Sequence, residues 1–75
     1  MKAYVLINAS PGHAIDVAKA LQGVSGISAA DAITGEYDVI AVCEAKDVAG
    51  IGNLIVDKIQ KVEGVFKTIT CLAVR

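Results

Sequence analysis

The sequence has 75 residues, of which 55% are hydrophobic and 20% are charged, with a formal net charge of −1. This length allows one domain, residues 1–75. A small chain with so many hydrophobic residues cannot bury all of its hydrophobic surface by itself, so we expect it to self-associate. Because its positive and negative charges nearly cancel, the chain lacks the positive electrostatic field that attracts a phosphate backbone. We therefore expect no direct binding of nucleic acid.

The first half of the chain predicts a strand, a helix and a second strand. Tyr4-Val5-Leu6-Ile7 is a short run of β-branched and aromatic residues followed by residues typical of a turn. Ser10 can cap the helix that follows, in which apolar residues recur at helical spacing. These apolar residues are Ala14, Val17, Ala18 and Leu21. After Ser25-Gly26, the small and β-branched residues of segment 27–34 predict the second strand.

The second half predicts a hairpin, a helix and a last strand. Segment 37–43 is the third strand, and Gly35 suits the first central position of a two-residue type II′ turn before it. Asp47 can cap the second helix, whose apolar residues form one stripe. This stripe consists of Val48, Ile51, Ile55, Ile59 and Val62. Gly64 ends the helix, and segment 65–74 predicts the fourth strand.

An internal repeat supports this order of elements. Segment 21–27, Leu-Gln-Gly-Val-Ser-Gly-Ile, resembles segment 59–65, Ile-Gln-Lys-Val-Glu-Gly-Val. Each segment connects a predicted helix to the strand that follows it, so the two connections are predicted to be alike. Two βαβ halves in tandem predict an α+β fold of the ferredoxin-like βαββαβ type. In that fold a four-stranded antiparallel sheet carries both helices on one face, and the first and third strands are central.

The two central strands are predicted to be apolar on both faces. On the first strand, Val5 and Ile7 lie on one face and Tyr4 and Leu6 on the other. On the third strand, Val39 and Ala41 lie on one face and Ile40 and Val42 on the other. Because helices cover only one face, the other would expose an apolar patch of a size that monomers usually avoid. We therefore expect two subunits to pack sheet to sheet, most economically as a symmetric dimer.

Side chains suited to catalysis are sparse. His13 is the only histidine, no serine or cysteine has a base beside it in sequence, and the acidic residues form no ligand cluster. We therefore expect no enzyme, no cofactor and no metal site. Cys43 and Cys71 are isolated in apolar runs, as reduced thiols of a cytosolic protein are. No apolar run approaches the roughly 20 residues that span a bilayer, so we expect a cytoplasmic protein outside membranes.

One polar cluster lies at the tip of the predicted hairpin, in the run Thr34-Gly35-Glu36-Tyr37-Asp38. The Asp38 carboxylate can pair with an α-ammonium group, and backbone N–H groups around Gly35 can bind an α-carboxylate because glycine has no Cβ. The alternative is an ordinary tight turn in which Tyr37 packs on the core and Asp38 caps local N–H groups. On these residues alone the ordinary turn is favoured.

The chain also resembles a known family over essentially its whole length. The resemblance lies in Met1 to Asn8, Pro11-Gly12-His13, the 34–38 run, and the closing segments 62–65 and 68–70. Together these are similar to the ligand-binding, or RAM, domain of Lrp/AsnC feast/famine regulators. The resemblance implies sheet-to-sheet dimers that assemble into rings and bind an amino acid or related metabolite between dimers. It assigns ligand contacts to Gly35, Glu36, Tyr37 and Asp38, with Asn53 of the second helix on the facing wall.

The chain departs from the family pattern at its start. Family regulators begin with a helix-turn-helix domain, whereas the first strand here starts at Met1. The resemblance therefore implies a stand-alone domain that reaches DNA only through a partner, such as a full-length regulator of the family.

Two alternatives remain open from the sequence. An ACT-like amino-acid sensor has the same order of elements but usually pairs its sheets side by side. A small dimeric α+β-barrel enzyme is the second alternative, although acylphosphatase-like catalysis requires an arginine near the first loop and the only arginine is Arg75. RNA binding of the RRM type is disfavoured because the central strands lack paired aromatic motifs.

Overall fold

The computed structural model describes all 75 residues and has the predicted order of elements. The elements are β1 (Lys2–Ala9), α1 (Ala14–Leu21), β2 (Ile27–Ala32), β3 (Val39–Glu44), α2 (Val48–Leu54) with a π-helical continuation (Ile55–Ile59), and β4 (Val65–Leu72). All neighbouring strands are antiparallel, in the order β2-β3-β1-β4. β1 and β3 are therefore central, as the ferredoxin-like prediction requires.

The hydrophobic core lies on one face of the sheet. Alternate residues of the central strands are buried there, namely Ala3, Val5 and Ile7 of β1 and Val39, Ala41 and Cys43 of β3. They form one cluster with Val17, Ala18 and Leu21 of α1 and with Ile51, Ile55 and Ile59 of α2 and its continuation. Both helices thus cover the same face, and the opposite face has no helix against it.

The start of α1 differs from the prediction. His13 occupies the N-cap position, and no side chain caps the helix. Ser10 instead belongs to the preceding turn, where its carbonyl accepts from the His13 N–H at 3.0 Å and its own N–H donates to the Gly64 carbonyl at 2.8 Å. The predicted Ser10 cap is wrong because Gly12 has a φ of +82°, which a right-handed helix cannot contain.

The start of α2 agrees with the prediction. The Asp47 carboxylate accepts a hydrogen bond from the Gly50 N–H at 2.8 Å, which satisfies one of the free donors of the first turn. Val48 lies at the first helical position and is exposed, so it does not belong to the buried stripe that the sequence predicted. Val62 is only partly buried.

The second helix widens in its last turns. The Gln60 N–H donates to the Ile55 carbonyl at 2.8 Å, which is the five-residue spacing of a π-helix. In a regular α-helix, residues four apart drift by about 40° around the axis. The wider turns offset this drift, so that Ile51, Ile55 and Ile59 all stay buried although they are spaced at four residues.

The internal repeat predicted from the sequence has a structural counterpart. Gln22 donates its side-chain amide to the Ala30 carbonyl at 2.9 Å, and Gln60 donates to the Thr68 hydroxyl at 3.1 Å. Each acceptor lies eight residues after its glutamine. The glycine before each following strand also has a positive φ, +92° in the first half and +98° in the second. Both helices are therefore joined to the next strand in the same way.

Candidate functional site

The loop between β2 and β3 is longer than predicted. The ladder ends with Ala32 opposite Val39, and beyond it the Ile33 N–H donates to the Asp38 carbonyl at 2.9 Å. Residues 34–37 separate this last bonded pair, so the predicted two-residue type II′ turn is wrong. Gly35 nevertheless has a φ of +119°, in the region that favours glycine.

Three hydrogen bonds fasten this loop to the end of β1. The Asp38 N–H donates to the Ile7 carbonyl at 2.9 Å, and the Ala9 N–H donates to Oδ2 of Asp38 at 2.8 Å. The side-chain amide of Asn8 donates to the Glu36 carbonyl at 2.9 Å. These bonds hold Asp38 against β1, which is the physical reason that the short hairpin turn does not form. Asn8 was not predicted to contribute to this region.

A β-bulge makes Ala9 available for this contact. Asn8 lies opposite Lys67 of β4, but Ala9 lies opposite Val65, so the register between β1 and β4 skips Phe66. The Ala9 N–H donates to Asp38 instead of to β4. The carboxylate thus satisfies a partly buried backbone donor, which is costly to leave without a partner.

The predicted hairpin residues therefore divide into anchored and free groups. Asp38 is partly buried and uses Oδ2 as a local cap, which is one feature of the ordinary-turn alternative. Tyr37 is also partly buried, whereas Gly35 and Glu36 are exposed. Apart from its two neighbours in the chain, no residue has an atom within 4 Å of the position that a Cβ would take on Gly35. Contacts of these four residues with a ligand remain a prediction.

Asn53, the fifth predicted site residue, lies at the other end of the sheet. It lines a shallow cavity of about 260 Å³ together with Glu44, Asp57 and Lys58. The hairpin precedes β3 and Glu44 ends it, and a strand of six residues is about 20 Å long. Asn53 and the hairpin therefore do not meet within one chain, and a site that contains both requires a second subunit.

The face of the sheet without helices is apolar in its centre. We call it the open face and define it by Tyr4, Leu6, Ile40, Val42, Ile69 and Cys71. Leu6 lies opposite Ile40 on one side and opposite Ile69 on the other. The first four of these residues were predicted from the sequence, whereas Ile69 and Cys71 of β4 were not. The alternation Thr68-Ile69-Thr70 and the pairing of β4 with β1 would have indicated them.

The remaining reactive groups are dispersed. Burial raises the pKa of the Cys43 thiol above its ordinary value, because an apolar environment disfavours the thiolate. His13 is exposed at the start of α1. No three histidine, cysteine, aspartate or glutamate side chains are grouped so that they could hold a metal ion. None of the helices has the length and apolar character required to cross a membrane.

The order of the elements and of the strands defines an α+β domain of the ferredoxin-like class. The family model described as the Lrp/AsnC ligand binding domain matches residues 2–75. The chain therefore belongs to the Lrp/AsnC ligand-binding domain family, as the sequence resemblance indicated. The crystal structure of TTHA0845 from Thermus thermophilus has the same fold, with a TM-score of 0.90 and 30% identity over 99% of this chain and 92% of that chain.

Longer proteins share this domain. The uncharacterized HTH-type transcriptional regulator PH1916 of Pyrococcus horikoshii is 26% identical over 74 residues, which cover 95% of this chain and 49% of the regulator. This chain thus spans about half the length of the curated relatives that it matches. The transcriptional regulator NMB0573 of Neisseria meningitidis, whose structure is a complex with L-Met, has the same fold at a TM-score of 0.85 and 16% identity, over 99% of this chain and 49% of that chain.

Proposed function

We propose that this chain is an effector-binding and self-assembling domain of Lrp/AsnC-type regulation, with a regulatory rather than an enzymatic role. Its ligand is an amino acid or a related small metabolite, bound between subunits beside the loop of residues 33–38. The observation that carries this proposal is the anchoring of that loop to β1 through Asp38 and Asn8. An anchored loop loses little conformational freedom when a ligand binds, which favours affinity.

The chemistry of the loop fits a zwitterion. Asp38 uses only Oδ2 for the Ala9 N–H, so Oδ1 can accept a charge-assisted hydrogen bond from an α-ammonium group. The unobstructed space at Gly35 allows an α-carboxylate to approach the backbone N–H groups. The L-Met complex of the Neisseria regulator supports an amino acid as the class of ligand.

The facing wall of the proposed site comes from another subunit. Asn53 is exposed and lies at the opposite end of β3 from the loop, so it can contact this ligand only across a subunit boundary. The open face supplies the contact within a dimer, since burying its apolar side chains against a second sheet removes them from water. Ring assembly of such dimers places the loop of one dimer beside a neighbour.

Any effect on transcription passes through a partner in this proposal. The net charge of −1 disfavours binding to a phosphate backbone, so we expect no specific affinity of this chain for DNA. A full-length regulator of the same family is the proposed partner, because about half of such a regulator matches this chain. Co-purification with such a regulator supports this proposal, and salt-dependent retention of operator DNA by this chain alone contradicts it.

A screen of the twenty amino acids tests the proposed ligand class. We expect at least one to raise the melting temperature and to change the molar mass measured by light scattering. The matched control is the N-acetyl derivative of the tightest binder, which lacks the ammonium group and should bind at least tenfold more weakly. If no amino acid raises the melting temperature, or if acetylation leaves the affinity unchanged, the proposed recognition of an α-ammonium group is wrong.

A further inference from the structure

Charged side chains border the apolar centre of the open face at one end of the central strands. Lys2 of β1 is exposed beside the buried Ala3, and its Nζ lies 5.2 Å from the centre of the Tyr4 ring. Glu44 of β3 pairs with Lys2 in the register of the sheet and follows the buried Cys43. Because successive residues of a strand alternate between faces, both charged residues belong to the open face.

The two edge strands carry opposite charges on the same face. Asp31 of β2 pairs with Ile40 of the open face. Lys67 of β4 pairs with Asn8, in the part of the ladder where the register is still regular. Both charged residues are exposed, and β2 and β4 are the outer strands of the sheet. The open face is thus negative at its β2 edge and positive at its β4 edge.

The register arranges the residues of the open face in rows that run across the strands. Asp38 stands opposite Asn8 because its neighbour Val39 pairs with Ile7. The four rows, starting from the loop, are Asp38, Asn8 and Lys67; Asp31, Ile40, Leu6 and Ile69; Ala29, Val42, Tyr4 and Cys71; and Glu44 with Lys2. The second and third rows form the apolar centre, and charged residues flank it on all sides.

Two aligned sheets can pack about a two-fold axis over this centre in two ways. An axis along the strands keeps each row facing the same row of the second copy, and it places β1 over β3 and β2 over β4. An axis across the strands places each strand over the same strand of the second copy and reverses the order of the rows. The apolar centre meets an apolar centre in both arrangements, so only the charged residues distinguish them.

The charges favour the axis along the strands. In that arrangement Lys2 of each copy faces Glu44 of the other. Asp31 lies over β4 of the second copy, two residues or about 7 Å along the strand from Lys67, which is within reach of a lysine side chain. An axis across the strands instead brings Glu44 of each copy to Asp38 of the other. Carboxylates that face each other repel, so this second arrangement is disfavoured.

We propose that these rim charges orient the sheet-to-sheet pair with its two-fold axis along the strands, so that Lys2 meets Glu44 and Asp31 meets Lys67 of the second copy. This inference rests on the proposed self-assembly and names the residues that select the partner. Apolar burial has no direction, whereas charge complementarity fixes register and rejects wrong partners. A second copy is the occupant because one chain supplies both signs at matching positions.

Charge reversal at the two edges tests this orientation. Asp31 and Lys67 lie on opposite edges of one sheet, so they do not pair within a chain. In an Asp31→Lys dimer two lysines face each other at both edges, and in a Lys67→Asp dimer two aspartates do. The dissociation constant of each variant, measured by sedimentation, should therefore rise about tenfold or more. An equimolar mixture of the two variants should dimerise as wild type does, because the heterodimer restores both pairs.

Two substitutions on α1 are matched controls. Asp16→Lys and Lys19→Asp make the same charge changes at exposed positions away from the open face. Each should dimerise as wild type does, and their mixture should gain nothing. This comparison separates the local charge pairing from an effect of net charge.

The possible outcomes are distinct. If either edge variant dimerises as wild type does, or if the mixture dimerises no better than the variants alone, the proposed orientation is refuted while a wild-type dimer through the open face still stands. Mixing that restores the dimer supports the orientation, because an axis across the strands does not bring Asp31 to Lys67. If wild type is a monomer at every concentration, the proposed self-assembly fails and the orientation with it.

Discussion

Ala9 donates its backbone N–H to the carboxylate of Asp38 at 2.8 Å, and this bond joins the candidate ligand-binding loop to the bulged end of β1. The side chain that the family resemblance assigns to a ligand therefore also holds the loop in place. Since a carboxylate has two oxygens, the two roles are compatible, and they predict different effects for different substitutions.

Two substitutions of Asp38 separate these roles. Asp38→Ala leaves the partly buried Ala9 N–H without an acceptor, so the free energy of unfolding should fall by about 1–3 kcal/mol. Asp38→Asn keeps an oxygen for Ala9 and should lose less stability, yet it lacks the charge that pairs with an ammonium group. Its affinity for the tightest-binding amino acid should fall about tenfold to a hundredfold. Denaturant titration and calorimetry measure the two effects, and equal affinities would restrict Asp38 to its structural role.

Leu6 is the residue of choice for testing the open face, because Ile40 and Ile69 flank it on both sides. Leu6→Lys should dissociate the dimer, since an unpaired charge buried in an interface costs about 3–5 kcal/mol. Sedimentation at micromolar concentration measures the effect, with circular dichroism to verify the fold. Ile15→Lys on α1 is the matched control and should leave the dimer intact. An unchanged Leu6→Lys dimer would show that the sheets do not pack face to face.

The two cysteines should react at different rates with iodoacetamide. Cys43 is buried, and the raised pKa of its thiol keeps the reactive thiolate scarce at neutral pH. Cys71 is exposed in the single chain but lies on the open face opposite Tyr4. We expect Cys71 of the Leu6→Lys variant to be alkylated rapidly and Cys71 of the wild-type dimer to be protected, as followed by mass spectrometry. Equal rates in both proteins would place Cys71 outside the interface.

Two glycines should respond to alanine in opposite directions. Gly64 has a φ of +98°, and an added Cβ would lie 2.9 Å from the Cβ of His13. Gly64→Ala should therefore lower the free energy of unfolding by at least the roughly 1–2 kcal/mol of a left-handed residue. Gly52 is helical with no neighbour within 4 Å of an added Cβ, so Gly52→Ala should raise stability by about 0.5–1 kcal/mol. Thermal unfolding compares the pair, and a stabilised Gly64→Ala would contradict the described turn.

Local patterns predicted much of the fold. The β-branched runs located the strands, the Asp47 cap located the second helix, and the repeated glutamine segments identified the βαβ halves. The Ser10 cap failed because Gly12, two residues later, adopts a positive φ that a sequence pattern does not reveal. The widened second helix was also missed, because its spacing of four residues is compatible with either kind of helix.

The candidate site was less predictable because its bonds are long-range. Asp38 binds Ala9 at a separation of 29 residues, and Asn8 binds Glu36 at a separation of 28. The local run 34–38 is compatible with a two-residue turn, and only the pairing of these residues with β1 lengthens the loop. The positive φ of Gly35 was predictable, since it depends on glycine itself rather than on a distant partner.

The repeated glutamine bonds have a consequence for the order in which the chain folds. Each bond closes a short segment, because its donor and acceptor are eight residues apart, whereas β1 meets β4 with Ala3 opposite Leu72. Short loops lose less entropy on closure than long ones, so we expect both helix-to-strand junctions to form early in folding. We therefore expect the two similar junctions to form before β1 takes its place between β3 and β4.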